Sequence, residues 1–461
     1  MDYKDELSEF NDIRPYESGE MRQAFEELLG DRQFQLVLKG FVPWLPKSVR
    51  NGLLRLAFTG VKTPLDFQKR FMKPVVNYII RKHTDGCTFD DAMLKGNHNS
   101  SHSEAAEPSA QYSIPNSQFD KRYTFVSNHR DIVLDSAFLD VMLVNGGYPT
   151  TVEIGIGDNL LIYPWIKRLV RMNKAFTVRR GLTPHEMLRS SQLMSRYIHY
   201  AVTQKHENIW IAQREGRAKD SDDRTQDAVL KMLAMGGPRI ENGELKMEIY
   251  DMPQGGKQTE ESGVQGNQAE ESGVQGNHNS QFSTLNSQFQ SSLRELNIVP
   301  LTISYEYDPC DYLKAQEFQQ KRDNPAFKKS RQDDLDNMKT GIFGYKGRVS
   351  YHCGRPVNTW MDELDGSLPR NEFFAQLAHR MDLEIHRGYQ LYPCNYIAAD
   401  MLGAESRYAE HYTAEDRQRF CQYLEGQLAK VTIPNKDEAF LRERILTMYA
   451  NPLVNHNAAT S

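Results

Sequence analysis

The sequence predicts an α/β protein: a mostly parallel central sheet flanked by helices, with helical N-terminal and C-terminal regions. Three observations carry this expectation. Six short runs have the length and apolar content of strands, namely Arg122–Asn128, Thr151–Ile156, Lys174–Arg180, Asn208–Arg214, Ile298–Glu306 and Gly347–Gly354. The intervals between the early runs carry helical periodicity, the rhythm of strands in parallel with helices on both faces. The stretches before residue 95 and after residue 355 show the helical period and few β-prone runs.

The chain of 461 residues has room for two or three domains, and its 39% hydrophobic and 25% charged residues are those of a globular protein. A net charge of −5 argues against a protein that coats nucleic acid, so no nucleic-acid partner is expected. The five cysteines (87, 310, 353, 394 and 421) are dispersed and lack Cys-x-x-Cys spacing, which suits a reducing compartment and offers no zinc site. Met1–Arg14 is acidic, without the basic flank and apolar block of a secretory signal. No apolar run approaches the ~18–20 residues of a spanning helix, so any membrane contact is expected to be peripheral.

Residues 1–95 read as a helical N-terminal region with helices at Met21–Gly30, Lys47–Thr59 and Pro64–Lys82. In the third, Phe67, Phe71, Val75 and Ile79 recur every fourth position, and Pro74 is expected to kink or divide it. Its stripe, edged by Lys69, Arg70, Lys73, Arg81 and Lys82, has two readings: core packing with a solvated basic edge, or a face laid on anionic lipid. Residues 96–118 are a low-complexity loop rich in Asn, Ser and His. Residues 119–354 form the α/β domain, interrupted at 251–292 by a low-complexity insertion in which QTEESGVQGN is followed by QAEESGVQGN. These tracts are too polar to build a core, and deletion of 255–290 is expected to leave activity largely intact. Within the domain one helix start is well marked, with Thr183 as N-cap, Pro184 at the first position and Glu186 closing a capping box. Residues 355–461 form a helical C-terminal region with candidates Asn371–Gly388, Ala414–Ala429 and Asp437–Tyr449.

Charge gathers where the strands end. Phe125–Asp135 reads F-V-S-N-H-R-D-I-V-L-D, so a strand runs into His129, Arg130 and two carboxylates, Asp131 and Asp135. The carboxyl edge of a sheet is where α/β proteins hold reactive groups. A histidine titrates near neutrality, and a carboxylate that fixes its tautomer lets it take a proton from a hydroxyl. The structural alternative is a turn histidine with Asp131 as a helix cap. A kinase catalytic loop also begins His-Arg-Asp, but Ser136 stands where it needs asparagine, and no glycine-rich loop or Asp-Phe-Gly is present.

Arg179 and Arg180 close the next charged strand end, within a stretch from Lys167 to Arg189 that holds seven basic residues and one acidic. Such a pair suits a phosphate. The third segment, Trp210–Asp220, ends in Arg214, Glu215, Gly216, Arg217 and Lys219, with the glycine allowing backbone to approach a ligand. The fourth, Ile298–Glu306, is an apolar strand whose Pro300 implies an edge or irregular start.

Taken in order, residues 127–135, 174–180, 213–219 and 298–306 resemble the four blocks of the glycerolipid acyltransferase family. The arginine after the histidine, the doubled Arg179-Arg180 and the Ile-Ser-Tyr-Glu ending look most like its glycerol-3-phosphate and dihydroxyacetone-phosphate branch. The resemblance covers about residues 120–310. It departs from the family where Leu134 holds the place of the first block's aspartate, leaving Asp135 or Asp131 to serve, and where Ala218 holds that of the third block's arginine. The second block's glycine is also missing, with Asn173 or Lys174 near its place.

The resemblance implies fatty acyl transfer from acyl-CoA or acyl carrier protein to a hydroxyl of a glycerol-phosphate or lysophospholipid acceptor, in phospholipid biosynthesis. It implies His129 as base with Asp135 or Asp131 behind it, and Arg130, Arg179, Arg180, Glu215, Gly216, Arg217 and Lys219 around the substrate. No cofactor or metal is required, because the thioester supplies the leaving group. The expected place is the cytoplasm, peripheral on the inner face of a membrane. Acylation of a non-phosphate or amino-lipid acceptor, and a noncatalytic lipid-binding relative, are the alternatives.

Overall fold

The computed structural model describes residues 7–95, 121–236, 240–241, 244–245, 274–403 and 406–461. The expected loop at 96–118, with its histidines, and the repeats within 251–273 lie outside the described residues.

The N-terminal region contains α1 (Met21–Gly30), α2 (Arg32–Phe41), α3 (Lys47–Phe58), α4 (Pro64–Phe67) and α5 (Lys73–His83). Between α4 and α5 the chain takes a π-helical turn, Gln68–Met72, closed by the Lys73 amide on the Gln68 carbonyl. Pro74 has no amide to donate and crowds the preceding turn, and the widened turn just upstream accommodates it. Phe67 and Ile79 are buried and Phe71 packs against the same core as Phe67, whereas Val75 is exposed, so most of the predicted stripe is core packing.

The α/β region follows as β1 (Cys87–Asp90), β2 (Thr124–Ser127), α6 (Leu134–Asn145), β3 (Val152–Gly157), α7 (Pro164–Met172), β4 (Ala175–Val178), α8 (Pro184–Thr203), β5 (Asn208–Ala212), α9 (Asp227–Leu233), a small hairpin of β6 (Ile240–Glu241) and β7 (Glu244–Leu245), α10 (Val274–Glu295), β8 (Ile298–Tyr305), α11 (Asp311–Asp323), α12 (Arg331–Phe343) and β9 (Val349–Cys353). The C-terminal region adds α13 (Arg370–Arg387), α14 (Pro393–Leu402), α15 (Ala414–Ala429) and α16 (Glu438–Thr460).

Seven strands form one sheet in the order β1-β9-β8-β2-β5-β3-β4, parallel except at the β8–β9 pair. Successive residues point to opposite faces. Phe125, Trp210, Val299 and Leu301 meet α6 on one side, while Val126, Ile209, Ile211 and Ile298 meet α8, α9 and α13 on the other. All residues of β2 and β8 are buried, which explains their continuous apolar runs. The capping box of Thr183 and Glu186 forms as the sequence predicts.

Three expectations need correction. Of the two readings of Pro300, an edge or an irregular start, the edge fails, because β8 is an interior strand. Its pairing with β9 begins only at Leu301, and the Pro300 carbonyl takes the last bond, 2.8 Å from the Gly354 amide, so the missing proline amide faces the point where β9 ends. The end of the polar insertion is not surface material, because α10 buries Asn286, Phe289 and Leu293 against α8 and α13. Deletion of 255–290 would therefore remove core side chains. The last helix does not stop near Tyr449 but continues through Pro452 to Thr460. Among the described residues no helix is long and apolar enough to cross a membrane.

Candidate active site

Because β2, β5, β3, β4 and β8 run in parallel, their carboxyl ends share one edge, and the charged segments follow there. Ser127 ends β2 opposite Ala212 and Leu301. The next residue, Asn128, is sealed: its amide group donates to the Ile303 carbonyl at 2.9 Å and accepts from the Ile303 amide at 2.7 Å. The turn that follows is thereby pinned to β8. Ser127 Oγ donates to the Asn128 carbonyl and accepts from the Trp210 indole, tying the turn to β5 as well.

His129 projects from this turn with its side chain 13% exposed and its ring edge-on to Trp210, 5.7 Å between centroids. Its Nδ1 lies 2.8 Å from Oδ2 of Asp135, which is completely buried in the first turn of α6. The same carboxylate oxygen accepts the backbone amides of Arg130 at 2.7 Å and Asp131 at 3.1 Å, while Tyr305 donates to the other oxygen at 3.2 Å. Tyr351 donates to the Asp135 backbone carbonyl at 2.8 Å. A carboxylate on Nδ1 holds the proton there and leaves the Nε2 lone pair as the acceptor. Among the described residues Nε2 has no hydrogen-bond partner.

The sequence left Asp131 and Asp135 as alternatives, and the geometry separates them. Asp131 Oδ1 accepts the amides of Val133 at 2.8 Å and Leu134 at 2.7 Å, opening α6 as a capping group does. It is buried under α12, where a Cβ on Gly341 would come within 2.0 Å of its other oxygen. Burial, and then the neighbouring charge of Asp135, raises its carboxyl above the usual range. Leu134 is core.

The cations divide into two groups. Arg130 turns inward: Nη2 lies 2.7 Å from Asp223 Oδ2, Nε donates to the Ile303 carbonyl at 3.3 Å, and the guanidinium sits over the Tyr389 ring. The arginine expected to bind substrate is thus found in a buried ion pair. Lys219 is likewise committed to Glu317, which also receives Lys321 at 2.9 Å and Lys329 at 2.6 Å; burial opposes it, but the three ammonium groups hold that carboxyl down at about 2. Arg217 donates to Asn337 at 2.9 Å beneath the same surface.

Arg180 and Arg179 remain near the surface. Arg180 Nη1 reaches Glu215 Oε1 at 2.9 Å, leaning towards β5, and Gly157 makes room, since a Cβ there would lie 2.6 Å from Arg180 Nε. Arg179 leans to Asp12 at 3.2 Å. Gly216 follows Glu215 with a φ of +71°, a left-handed turn that favours glycine. The positive field expected between Lys167 and Arg189 is thinner than its composition suggests, because Lys174 is buried against Glu207 at 2.7 Å and Arg168 and Arg171 bind Glu27 and the Arg14 carbonyl. β4 is three strands from β2, about 14 Å at ~4.8 Å per strand. Arg180, through Glu215, leans from β4 towards the segment that follows β5.

Sequence reasoning missed the scaffold behind the turn. Asp223 accepts from Arg130, from Asn128 at 3.3 Å and from Tyr389 at 2.5 Å. The C-terminal region clamps the segment around it: His386 Nε2 lies 2.7 Å from the Asp223 carbonyl, Asp382 accepts the Thr225 amide at 2.7 Å, and Asn451 donates to the Asp220 carbonyl at 2.8 Å. Only the burial pattern of a strand-edge arginine could have hinted at a carboxylate partner. Among the described residues no group of side chains is arranged to hold a metal ion.

Fold and site together define an α/β protein with a histidine–carboxylate pair at the carboxyl edge of a mostly parallel sheet. No protein-family model matches the chain, and no curated protein matches it.

Proposed function

We propose that the chain is an acyltransferase that moves a fatty acyl group from a thioester, acyl-CoA or acyl carrier protein, to a hydroxyl of a glycerol-phosphate or lysophospholipid acceptor in phospholipid biosynthesis. The observation that carries the reading is the 2.8 Å contact of His129 Nδ1 with a buried carboxylate, which leaves Nε2 as the accepting nitrogen.

In the step proposed, the acceptor hydroxyl gives its proton to Nε2 as its oxygen attacks the thioester carbonyl. Asp135 stabilises the imidazolium so formed. The carbon–sulfur bond then breaks, and the imidazolium returns the proton to the departing sulfur, yielding ester and free thiol. General base catalysis contributes about 10²–10⁴-fold, so positioning must supply much of the rest. Arg180 is the best placed phosphate ligand, with Glu215 and Gly216 beside it, whereas Arg179 leans to Asp12. Its ion pair with Glu215 is solvent-accessible, and such pairs are weak enough for a phosphate to displace. The reaction is proposed for the cytoplasmic, inner face of a membrane, with the protein attached peripherally.

A second reading, acylation of a non-phosphate or amino-lipid acceptor, is favoured by one observation: Arg130 and Lys219 are neutralised by Asp223 and Glu317. Both readings meet in one experiment, in which the full chain is given one labelled acyl thioester with glycerol-3-phosphate, a lysophosphatidate or an acylated amino acid. Ester formed only with the phosphorylated acceptors supports the first. Product from the amino acid alone supports the second, and no thioester consumption with any acceptor leaves a noncatalytic lipid-binding protein.

A further inference from the structure

The pair formed by α2 and α3 packs Phe34, Leu38, Leu54 and Phe58 on the core, yet it also buries a polar cluster and carries a second apolar set outside. Gln35, Arg50 and Asn51 are buried and bonded to one another: Gln35 Nε2 donates to Asn51 Oδ1 at 3.0 Å and to the Leu29 carbonyl at 2.7 Å, and Arg50 Nη2 donates to Gln35 Oε1 at 2.8 Å. The apolar residues Leu36, Val37, Trp44, Val49, Leu53 and Leu56 are exposed, from 39% at Val37 to 74% at Trp44. A helix pair normally buries its apolar stripe and wets its polar one. Here a second apolar face, beyond the one packed on the core, is left to water, which is the kind of surface that marks an interaction site.

Charge identifies what covers it. From Arg32 to Phe58 the chain has no Asp or Glu, while Arg32, Lys39, Lys47, Arg50 and Arg55 are all cationic. Arg50 is internal and Arg55 is paired with Glu26 at 2.7 Å, which leaves Arg32, Lys39 and Lys47 exposed on the two helices. An apolar face bearing a tryptophan and fringed by cations complements the acyl boundary and headgroups of an anionic bilayer. Apposition of a second copy on the same face would set these cations against one another.

We propose that the outward face of α2 and α3, with Trp44 in the connection between them, seats the protein on an anionic phospholipid surface. The attachment gives the acyltransferase reading a source of lipid substrate, but it does not rest on that reading.

The test is co-sedimentation of the full chain with vesicles of phosphatidylcholine, with and without phosphatidylglycerol. Binding is expected with the anionic vesicles and to fall about tenfold or more in Leu53→Glu/Leu56→Glu, because charges replace buried apolar area. Trp44→Ala is expected to weaken it less, and Val454→Glu, a charge on an exposed valine of the last helix, to leave it unchanged. Brominated lipid should quench part of the tryptophan fluorescence of the wild type, and that quenching should be lost in Trp44→Phe, which keeps Trp165, Trp210 and Trp360. Unchanged circular dichroism and melting verify that the variants fold. The proposal is overturned if the wild type ignores anionic vesicles or binds neutral ones equally, if Leu53→Glu/Leu56→Glu binds as before, or if the wild type is a dimer that this variant dissociates. Vesicle binding is read without turnover, so its failure is distinct from failure of acyl transfer.

Discussion

Asp135 stands six residues beyond His129, inside the first turn of a helix, yet its Oδ2 lies 2.8 Å from the imidazole Nδ1. The backbone between them folds so that the amides of Arg130 and Asp131 donate to the same oxygen, which fixes the carboxylate from behind. If the imidazole is the base, Asp135→Asn should lower kcat by about 10²–10⁴-fold by disturbing its tautomer and charge. Asp131→Ala should instead cost about 0.5–2 kcal/mol of stability through loss of the helix cap, with a smaller effect on turnover. Parallel measurement of acyl transfer and urea unfolding on both variants separates the roles. Equal losses of turnover would contradict the assignment.

Arg179 and Arg180 are adjacent, but they lean to different partners, Asp12 and Glu215. Glu215 follows β5, the strand beside β2, so Arg180 leans along the sheet edge towards the centre while Arg179 leans to the N-terminal segment. Arg180→Ala should raise the KM for a phosphorylated acceptor about tenfold or more with a smaller change in kcat, as loss of a charge-assisted contact does. Arg179→Ala should change it little. Steady-state kinetics with varied acceptor decides, and the reverse order would show that the site lies further out along the sheet edge.

The central strands were legible because a parallel strand covered on both faces is a continuous apolar run, as all of β8 demonstrates. β1 was not, since Cys87-Thr88-Phe89-Asp90 is short and only partly buried. α10 was hidden because its core contacts, Phe289 and Leu293, stand in a tract otherwise rich in Ser, Gln and Asn. At the site, His129 and its two candidate acids could be read from one local segment. The Arg130–Asp223–Tyr389 connection could not, because hydrogen bonds between distant segments impose no period on either. For the same reason the exposed cations and the committed ones looked alike in sequence.

That connection has a stability consequence. Arg130 and Asp223 are both buried, and removal of one partner strands the other charge in a poorly solvated place. Asp223→Ala should destabilise the protein by about 3–5 kcal/mol. Tyr389→Phe, which removes one hydrogen bond to a charged group and keeps the ring beneath the guanidinium, should cost about 1.5–3 kcal/mol. Chemical denaturation ranks the two. A larger loss from the tyrosine would mean that the carboxylate depends on the hydroxyl more than on the arginine.

A pH dependence follows from Asp140, whose Oδ1 accepts the Val152 amide at 3.0 Å and whose Oδ2 accepts from Gln68 at 2.9 Å. Burial, against the opposing pull of that amide and of Lys174, pushes its carboxyl up from 3.8 to about 7. The folded state therefore holds the proton more tightly than the unfolded chain, so the contribution to stability is complete below about pH 4 and is lost as pH rises through about 7. Every tenfold gain in proton affinity is worth about 1.4 kcal/mol at most, because a buried site relaxes and admits water when it ionises. Asp140→Asn keeps an oxygen for the Val152 amide, and Gln68 retains the Asn173 carbonyl at 3.2 Å. The variant should match the wild type near pH 4 and exceed it increasingly up to about pH 7 and beyond, with a flatter curve of unfolding free energy across that range. Urea unfolding of both proteins across that range measures the difference, and parallel curves would show that Asp140 ionises in the folded protein no later than in the unfolded one.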